Sequence, residues 1–541
     1  MVGETFGSRG CLRGGDVPDT GHVTRTISLI ALIATAALLA SACTSSGDEG
    51  RDDRAQASTS VKGEHRDGDC DGDVESPDTR FIVDSCGRVV ILRGVNVEAS
   101  AKGDTQAGSH LPRSEVKGQS ALGQWGWNTV RFLVFWGSIE PEKGKYDEAY
   151  LDQVATWMDW YAEHGIHVVL DMHQDLYGWK VRGDGAPDWA VDTKGLEVKP
   201  IGEGLPWYLQ GADPAVQNAY QSFWNPQDGD RTLQEHYLGA LRHLVDRFED
   251  HPAVIGYDVM NEPSFANGDL AATLRIQSEA ARGGFHNQNL TDFMNRAIAA
   301  VRDESDEAYV FIEPTSLLNA FPYAGDLIAS DLRDPRKGPP RLVYAGHLYE
   351  PGVHDGNGYS TESTYVADWE RFRVAEAAQM NAALWFGEWG GQPEQNRMDE
   401  YVADVLAMSD RNMVGWAWWS WDPGGWSPVL ADGTTISPNG ERLLRVAPRA
   451  IAGTPESFGW DPATKVFHMD WKERRDAHGK TEIAVPASLY GDGLSVVLDG
   501  KPLGKPSWNR ETGVLRVSAN RRTATHELCI APAGSSDCSA S

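Results

Sequence analysis

Short apolar runs separated by longer amphipathic stretches occupy most of this chain, the alternation expected of a parallel sheet whose strands are joined by helical crossovers. The run ending near Val95 and the runs Thr129–Phe135, His167–Met172, Val254–Met260, Tyr309–Glu313, Leu342–Ala345, Ala383–Phe386 and Met413–Trp419 read as eight strands. They are apolar almost throughout rather than at every second position, so both faces of the sheet are covered. Between them, Leu151, Val154, Trp157 and Tyr161 recur at helical spacing after an Asp147 cap and before Gly165, and Thr232 precedes Leu238, Leu241, Val245 and Phe248. Ser363–Met380 and Glu394–Met408 continue the series. Closing the sheet on itself leaves no edge exposed, which predicts an α/β fold, a (β/α)8 TIM barrel over residues 79–447. Its folded part is expected to begin with Arg80–Asp84, a short strand that turns at Ser85-Cys86-Gly87 into Val89–Asn96.

The pattern changes at Pro448. Lys465–Asp470, Glu482–Val485, Leu494–Leu498 and Val514–Val517 are short strands between Gly, Pro and Asn turns with no helical period, which predicts a C-terminal antiparallel β-sandwich over residues 448–541. It carries no constellation that suggests chemistry, and its expected role is to brace the barrel. At the other end, Ile27–Ala42 is nearly continuously apolar, follows Arg25 and ends in small residues, the order of a secretory signal. Leu39-Ala40-Ser41-Ala42-Cys43 is similar to a bacterial lipobox, with its Leu four residues before Cys43 where lipoboxes usually have three. Residues 1–43 are therefore expected to be a leader that exports the protein from a bacterial cell. The mature chain is then either a membrane-anchored lipoprotein lipidated at Cys43 or a released one. Residues 44–78 hold Ser, Gly and charged side chains with almost nothing to bury, which predicts a disordered tether.

A chain of 541 residues has room for a barrel and one smaller module. A formal net charge of -29 excludes nucleic acid as a partner and argues against electrostatic docking on anionic lipid, leaving a neutral substrate as the better match. Twenty Trp suit either a sugar-binding cleft or a barrel core. The six cysteines show no metal-binding spacing, so neither metal nor cofactor is expected. Cys70 with Cys86 and Cys529 with Cys538 are close enough in sequence for two short-loop disulfides in an oxidising compartment.

Barrel active sites sit at the carboxyl ends of the strands, and polar residues recur there. Arg131 lies within strand two; His173 with Gln174 and Asp175 ends strand three, and Asn261 with Glu262 ends strand four. His347 and Tyr349 follow strand six, Glu388 strand seven and Trp419 strand eight. A single Glu in such a place is most often a cap or an ion-pair partner. Two of them, one protonated to donate and one ionised to attack, are the machinery of glycoside hydrolysis, and a separation near 5 Å implies retention of configuration.

Asn261-Glu262-Pro263 and Gly387-Glu388-Trp389-Gly390 resemble the fourth and seventh strand ends of glycoside hydrolase family five. The resemblance, over residues 80–447, implies that Glu262 is the acid/base and Glu388 the nucleophile. It further implies that Asn261 meets the sugar 2-hydroxyl and that Arg131 and Tyr349 orient Glu388. His347 would lie near Glu262, His173 would line the first sugar subsite, and Trp419 would form its platform, with Trp416, Trp418 and Trp421 as close alternatives. Leu170–Asp175, Gly256–Pro263, Gly346–Pro351 and Pro448–Pro455 are similar to the endoglycoceramidases, which cut oligosaccharide from the ceramide of glycosphingolipids. That branch makes Asp171 and Asp175 candidates for sugar contacts and a glycosphingolipid the substrate, with membrane contact through substrate or lipid anchor and a monomeric enzyme. The long connection from Asp175 to Arg231 carries Trp179, Trp189, Trp207, Tyr208, Phe223 and Trp224, which would either line a trough for the lipid or cover one side of the barrel; Ser264–Gly284 would form the other wall. The rivals are a family-five hydrolase of another β-glucoside, such as an endoglucanase or a steryl glucosidase, and a surface lipoprotein that binds glycans without cutting them.

Overall fold

A computed structural model of the protein describes residues 78–103, 110–113, 119–200, 202, 207–224, 232–264, 285–316, 319, 329–491 and 493–538. The leader with Cys43, the tether up to residue 77 with Cys70, and the insertion from 265 to 284 lie outside the described residues.

Two short strands, β1 (Ile82–Val83) and β2 (Val89–Val90), come first. The barrel follows as β3 (Arg93–Val97), β4 (Thr129–Val134), β5 (His167–Met172), β6 (Val254–Asp258), β7 (Tyr309–Ile312), β8 (Leu342–Tyr344), β9 (Ala383–Trp389) and β10 (Gly415–Trp418). All eight are hydrogen-bonded in parallel and in chain order, and β10 closes on β3. β4 is buried at every position, as its unbroken apolar run requires. At Gly94 the neighbouring strand comes so close that a Cβ would stand 1.7 Å from the carbonyl oxygen of Thr129, so only glycine fits. The crossover helices include Glu148–Glu163, capped by Asp147 accepting from the Tyr150 N–H, Thr232–Phe248, Tyr365–Met380 and Met398–Asn412. No helix among the described residues is long and apolar enough to cross a membrane.

The C-terminal part adds β11 (Ala447–Ile451), β12 (Gly453–Asp461), β13 (Val466–Glu473), β14 (Thr481–Ala484), β15 (Leu494–Leu498), β16 (Lys501–Pro502), β17 (Ser507–Asn509), β18 (Val514–Val517) and β19 (Thr525–Pro532). They form two antiparallel sheets, β1-β2-β11-β14-β18-β17 and β12-β13-β19-β15-β16, around a core that includes Phe467, Trp471, Ile483, Leu515 and Ile530. Cys529 and Cys538 are disulfide-bonded with Cα atoms 5.6 Å apart. Cys86 is also disulfide-bonded, and Cys70, its expected partner, lies outside the described residues.

The N-terminal hairpin departs from the sequence reading, which gave it to the barrel. β2 pairs with β11 through Val90↔Ala450 and Val89↔Ile451, so the hairpin belongs to the C-terminal sheet. The run Val89–Val97 looks like one strand because both sheets bury it; the chain changes sheets between Val90 and Arg93, with Ile91 N–H still donating to Arg449 O. The Arg449 guanidinium then ties the two parts together by donating to the carbonyls of Gly126, Trp127 and Gly165 at the amino ends of the barrel strands.

Candidate active site

The polar strand ends meet at the carboxyl mouth of the barrel, organised around Arg131. This side chain, in the middle of β4, is fully buried and reaches four acids, three within β5, β6 and β9 and one, Glu313, just after β7. Nη1 donates to Glu388 Oε1 at 2.7 Å, Nε to Asp258 Oδ2 at 3.0 Å and Nη2 to Glu313 Oε1 at 2.9 Å; Asp171 Oδ1 lies 3.0 Å from Nη2. Burial opposes its charge, but these carboxylates outweigh burial and hold the guanidinium well above its ordinary value. Asp171 pays the other side of that balance: burial pushes its carboxyl well above the usual range despite Arg131.

Glu388 lies within β9, which runs three residues beyond the Phe386 end read from sequence, to Trp389. Its second oxygen accepts from the Tyr349 hydroxyl at 2.8 Å. Glu262 stands four residues past β6, with a φ of 41° that non-glycine residues rarely adopt. Its carboxyl Oε1 accepts from Asn319 Nδ2 at 2.7 Å and lies 2.8 Å from His347 Nδ1. Carboxylate oxygens of Glu262 and Glu388 and a ring nitrogen of His347 all lie within 4.8 Å of one another. Burial disfavours a charged imidazole, yet Glu313 and Glu388 hold His347 well above its ordinary value.

Asn261 is buried beside them; its Oδ1 accepts from Arg131 Nη2 at 2.8 Å and its Nδ2 donates one hydrogen to Gln174 O at 3.0 Å. His173 stacks on Trp419 with ring centroids 5.8 Å apart and contacts Asp171 Oδ2 through Nδ1 at 2.6 Å. Burial, helped by Lys102, pushes His173 well below its ordinary value, which keeps it neutral. Lys102 Nζ donates to Asp175 Oδ2 at 2.6 Å and lies 4.2 Å from the Trp419 ring centroid. Burial would raise Asp175, but Lys102 and His173 prevail and hold it below its ordinary value.

Glu262, Glu388, Asn261, Arg131, His173, Asp175, His347, Tyr349 and Trp419 are thus brought together. Asp171 is at the same place but in a different part: with no exposed surface it stands behind His173 and orients that ring, so the expected sugar contact is replaced by a supporting one. Trp419 is the tryptophan at the cleft, whereas Trp416 and Trp418 are buried and Trp421, which alternation put on the face of Trp419, is buried against Trp125. Alternation fails there because β10 ends at Trp418.

Sequence reasoning missed Glu313, Asp258, Lys102 and Asn319. Glu313 and Asp258 carried the same strand-end signal as the residues that were chosen, whereas Lys102 and Asn319 lie in connections and had none. Close to Glu262 in the chain, Met260 and Ser264 border a small apolar cleft of about 20 Å3, lined also by Trp136, Gln174, Tyr177, Tyr220, Phe223 and Trp224. In the long aromatic connection, Phe223 and Trp224 are buried against the barrel, the covering role, and also line this cleft.

Two acids across a barrel mouth, each with its own donors, define a glycoside hydrolase site, and the chain matches the cellulase family, glycosyl hydrolase family 5, over residues 87–425. It belongs to that family. Residues 445–530 match the glycoside hydrolase family 5 C-terminal domain. Within the family the chain is similar to endoglycoceramidase I of Rhodococcus hoagii, 28% identical with 78% of this chain and 82% of that one covered. It is likewise similar to endo-glycoceramidase II from a Rhodococcus species, solved as a ganglioside GM3 complex, with 28% identity, a TM-score of 0.74, and 85% of this chain and 100% of that one covered. A glucosylceramidase of Rhizopus delemar is 30% identical over a shorter stretch, 34% of this chain and 35% of that one.

Proposed function

We propose that this chain is a retaining endo-β-glycosidase that separates the glycan of a glycosphingolipid from its ceramide. The observation that carries the mechanism is the pair Glu262 and Glu388, whose carboxylate oxygens approach within 4.8 Å, the short spacing of double displacement rather than the wider one that admits a water. Glu388, held by Arg131 and Tyr349, attacks the anomeric carbon while Glu262 gives its proton to the departing ceramide oxygen; the glycosidic bond breaks and a glycosyl ester forms. Glu262, now a carboxylate, takes a proton from water as that water's oxygen attacks the anomeric carbon, releasing the glycan and restoring Glu388.

The apolar cleft bordered by Met260 and Ser264, which flank Glu262 in the chain, supports a lipid leaving group, since the aglycone must lie on the side of the residue that protonates it. The relatives named for endoglycoceramidase activity support the same substrate. A second reading, removal of a single glucose from glucosylceramide, is favoured by the similarity to the Rhizopus enzyme. Export with Cys43 as a lipid anchor is part of the proposal, supported by the apolar run before that residue, and metabolic labelling with a radioactive fatty acid, with and without Cys43→Ser, tests it.

Digestion of ganglioside GM3, lactosylceramide, glucosylceramide and a soluble β-glucan, followed by mass spectrometry, tests the function. Intact oligosaccharide plus ceramide is the expected product. Glucose from glucosylceramide alone would shift the assignment to the second reading, cleavage of the glucan alone would end the lipid assignment, and no cleavage would leave a glycan-binding protein.

A further inference from the structure

We infer that Glu313 is a positioning residue for the acid/base, holding the peptide on which Glu262 stands and deciding which nitrogen of His347 carries the hydrogen that faces Glu262. The inference rests on the role proposed for Glu262. Glu313 follows β7, has no exposed surface and does not line the cleft, so it acts through its neighbours. Its Oε2 accepts from the Glu262 backbone N–H at 3.0 Å, while its Oε1 lies 2.9 Å from Arg131 Nη2 and 3.1 Å from His347 Nε2.

The first contact addresses the backbone. Glu262 has left-handed φ, a conformation that costs energy in a residue with a Cβ and persists only where its surroundings dictate it. Here Glu313 holds the N–H of that residue, and Gln174 Nε2 holds its carbonyl at 3.1 Å. The carboxyl is thereby aimed across the cleft at a fixed angle.

The second contact addresses the proton. Suppose the hydrogen shared by Glu313 and His347 sits on the carboxyl; it is then donated to Nε2, and the neutral ring must carry its own hydrogen on Nδ1. Suppose instead it sits on Nε2; the ring is an imidazolium and Nδ1 again carries a hydrogen. In both states Nδ1 is a donor to Glu262 Oε1, 2.8 Å away. Without an acid at 313 a neutral ring is free to hold its hydrogen on Nε2, and the bare Nδ1 would accept the proton that Glu262 must give to the leaving group. The charged and titratable groups around this pair are Arg131, Asp171 and Asp258 from below and Glu262, Glu388 and the neutral Tyr349 from the cleft side. Burial, with Asp258 adding to it, pushes Glu313 up to about 8, so the shared proton persists through neutral pH.

The test uses Glu313→Met, which keeps the length of the side chain but can neither accept from the Glu262 N–H nor share a hydrogen with His347 Nε2, and compares lactosylceramide with 2,4-dinitrophenyl β-lactoside, whose leaving group needs no proton. A 10- to 100-fold fall in kcat/KM for the lipid with a change within about twofold for the dinitrophenyl glycoside is expected. Equal losses on the two substrates, or none on either, would overturn the inference. If the wild-type protein cuts neither substrate, the proposed function fails, and the inference is decided separately by nitrogen-15 spectra of histidine-labelled wild-type protein, with His347→Gln for assignment. A hydrogen on His347 Nδ1 at neutral pH is expected, and a neutral ring bearing hydrogen on Nε2 alone would overturn the inference; this measurement also stands if Glu313→Met does not fold.

Discussion

Arg131 Nη1 lies 2.7 Å from Glu388 Oε1 while the same guanidinium answers Asp171, Asp258 and Glu313, so one buried cation serves four acids. Removing it leaves carboxyl groups without their counter-charge in a region closed to water. Arg131→Met is expected to lower unfolding free energy by about 3–5 kcal/mol and to abolish turnover. Urea unfolding followed by tryptophan fluorescence checks this, and a loss below about 1 kcal/mol would show that the acids do not depend on Arg131.

Glu388→Gln keeps the shape and the contacts to Arg131 and Tyr349 but cannot form the glycosyl ester. Turnover is expected to fall by roughly four orders of magnitude with the folded state retained. The complementary variant, Glu262→Ala, is expected to be rescued by azide, which needs no general base, giving a glycosyl azide of retained configuration. Retained activity in Glu388→Gln, or an azide product of inverted configuration from Glu262→Ala, would remove the assigned roles.

The sign of the pH effect at Glu313 follows from its shift. Its folded-state value is raised from 4.5 to about 8, so the stability it contributes is fully present below pH 4.5 and is lost as pH rises through about 8. Glu313→Gln has no such proton to lose. Its stability relative to wild type is therefore expected to improve between pH 4.5 and 8, as measured by urea midpoints at the two ends of that window, and a constant difference would contradict the shift.

Trp224 is 2% exposed and lines the apolar cleft bordered by Met260 and Ser264. Trp224→Ala is expected to cost about 3–5 kcal/mol of stability and to raise KM for a glycosphingolipid more than for a soluble aryl glycoside. Parallel steady-state kinetics on both substrates check this; equal changes in KM would mean that the cleft does not hold the lipid.

The Cys529–Cys538 bridge closes a separation of nine residues in the sheet remote from the acids. Replacing both with Ala is expected to lower stability by about 2.5 kcal/mol while leaving kcat unchanged, measured by thermal unfolding and assay.

How much of this was legible follows from what each residue does. The barrel strands were readable because two-sided burial leaves an unbroken apolar run, and Glu262 and Glu388 were readable because each ends such a run beside Pro or Gly. The hairpin at Val89 was misplaced for the same reason: a run buried by two different sheets in succession looks like one strand. Asp171 was expected at a sugar because the resemblance carried its position over, and a matching position does not distinguish a side chain at the barrel mouth from one a layer below it. Glu313 had the right position and no motif, and Lys102 is a single cation in a connection until the fold sets it over Trp419.

The pairing of β2 with β11 means that the first hairpin among the described residues, β1 with β2, has no partner on the outer edge of β2 until the chain has been made past Ile451. An exposed edge at Val89–Val90 persists for all of that time, and a cut placed before Ala447 would make it permanent. The two parts of this enzyme therefore mature as one unit, and a free-standing barrel is the form in which sticking of copies edge to edge should first be seen.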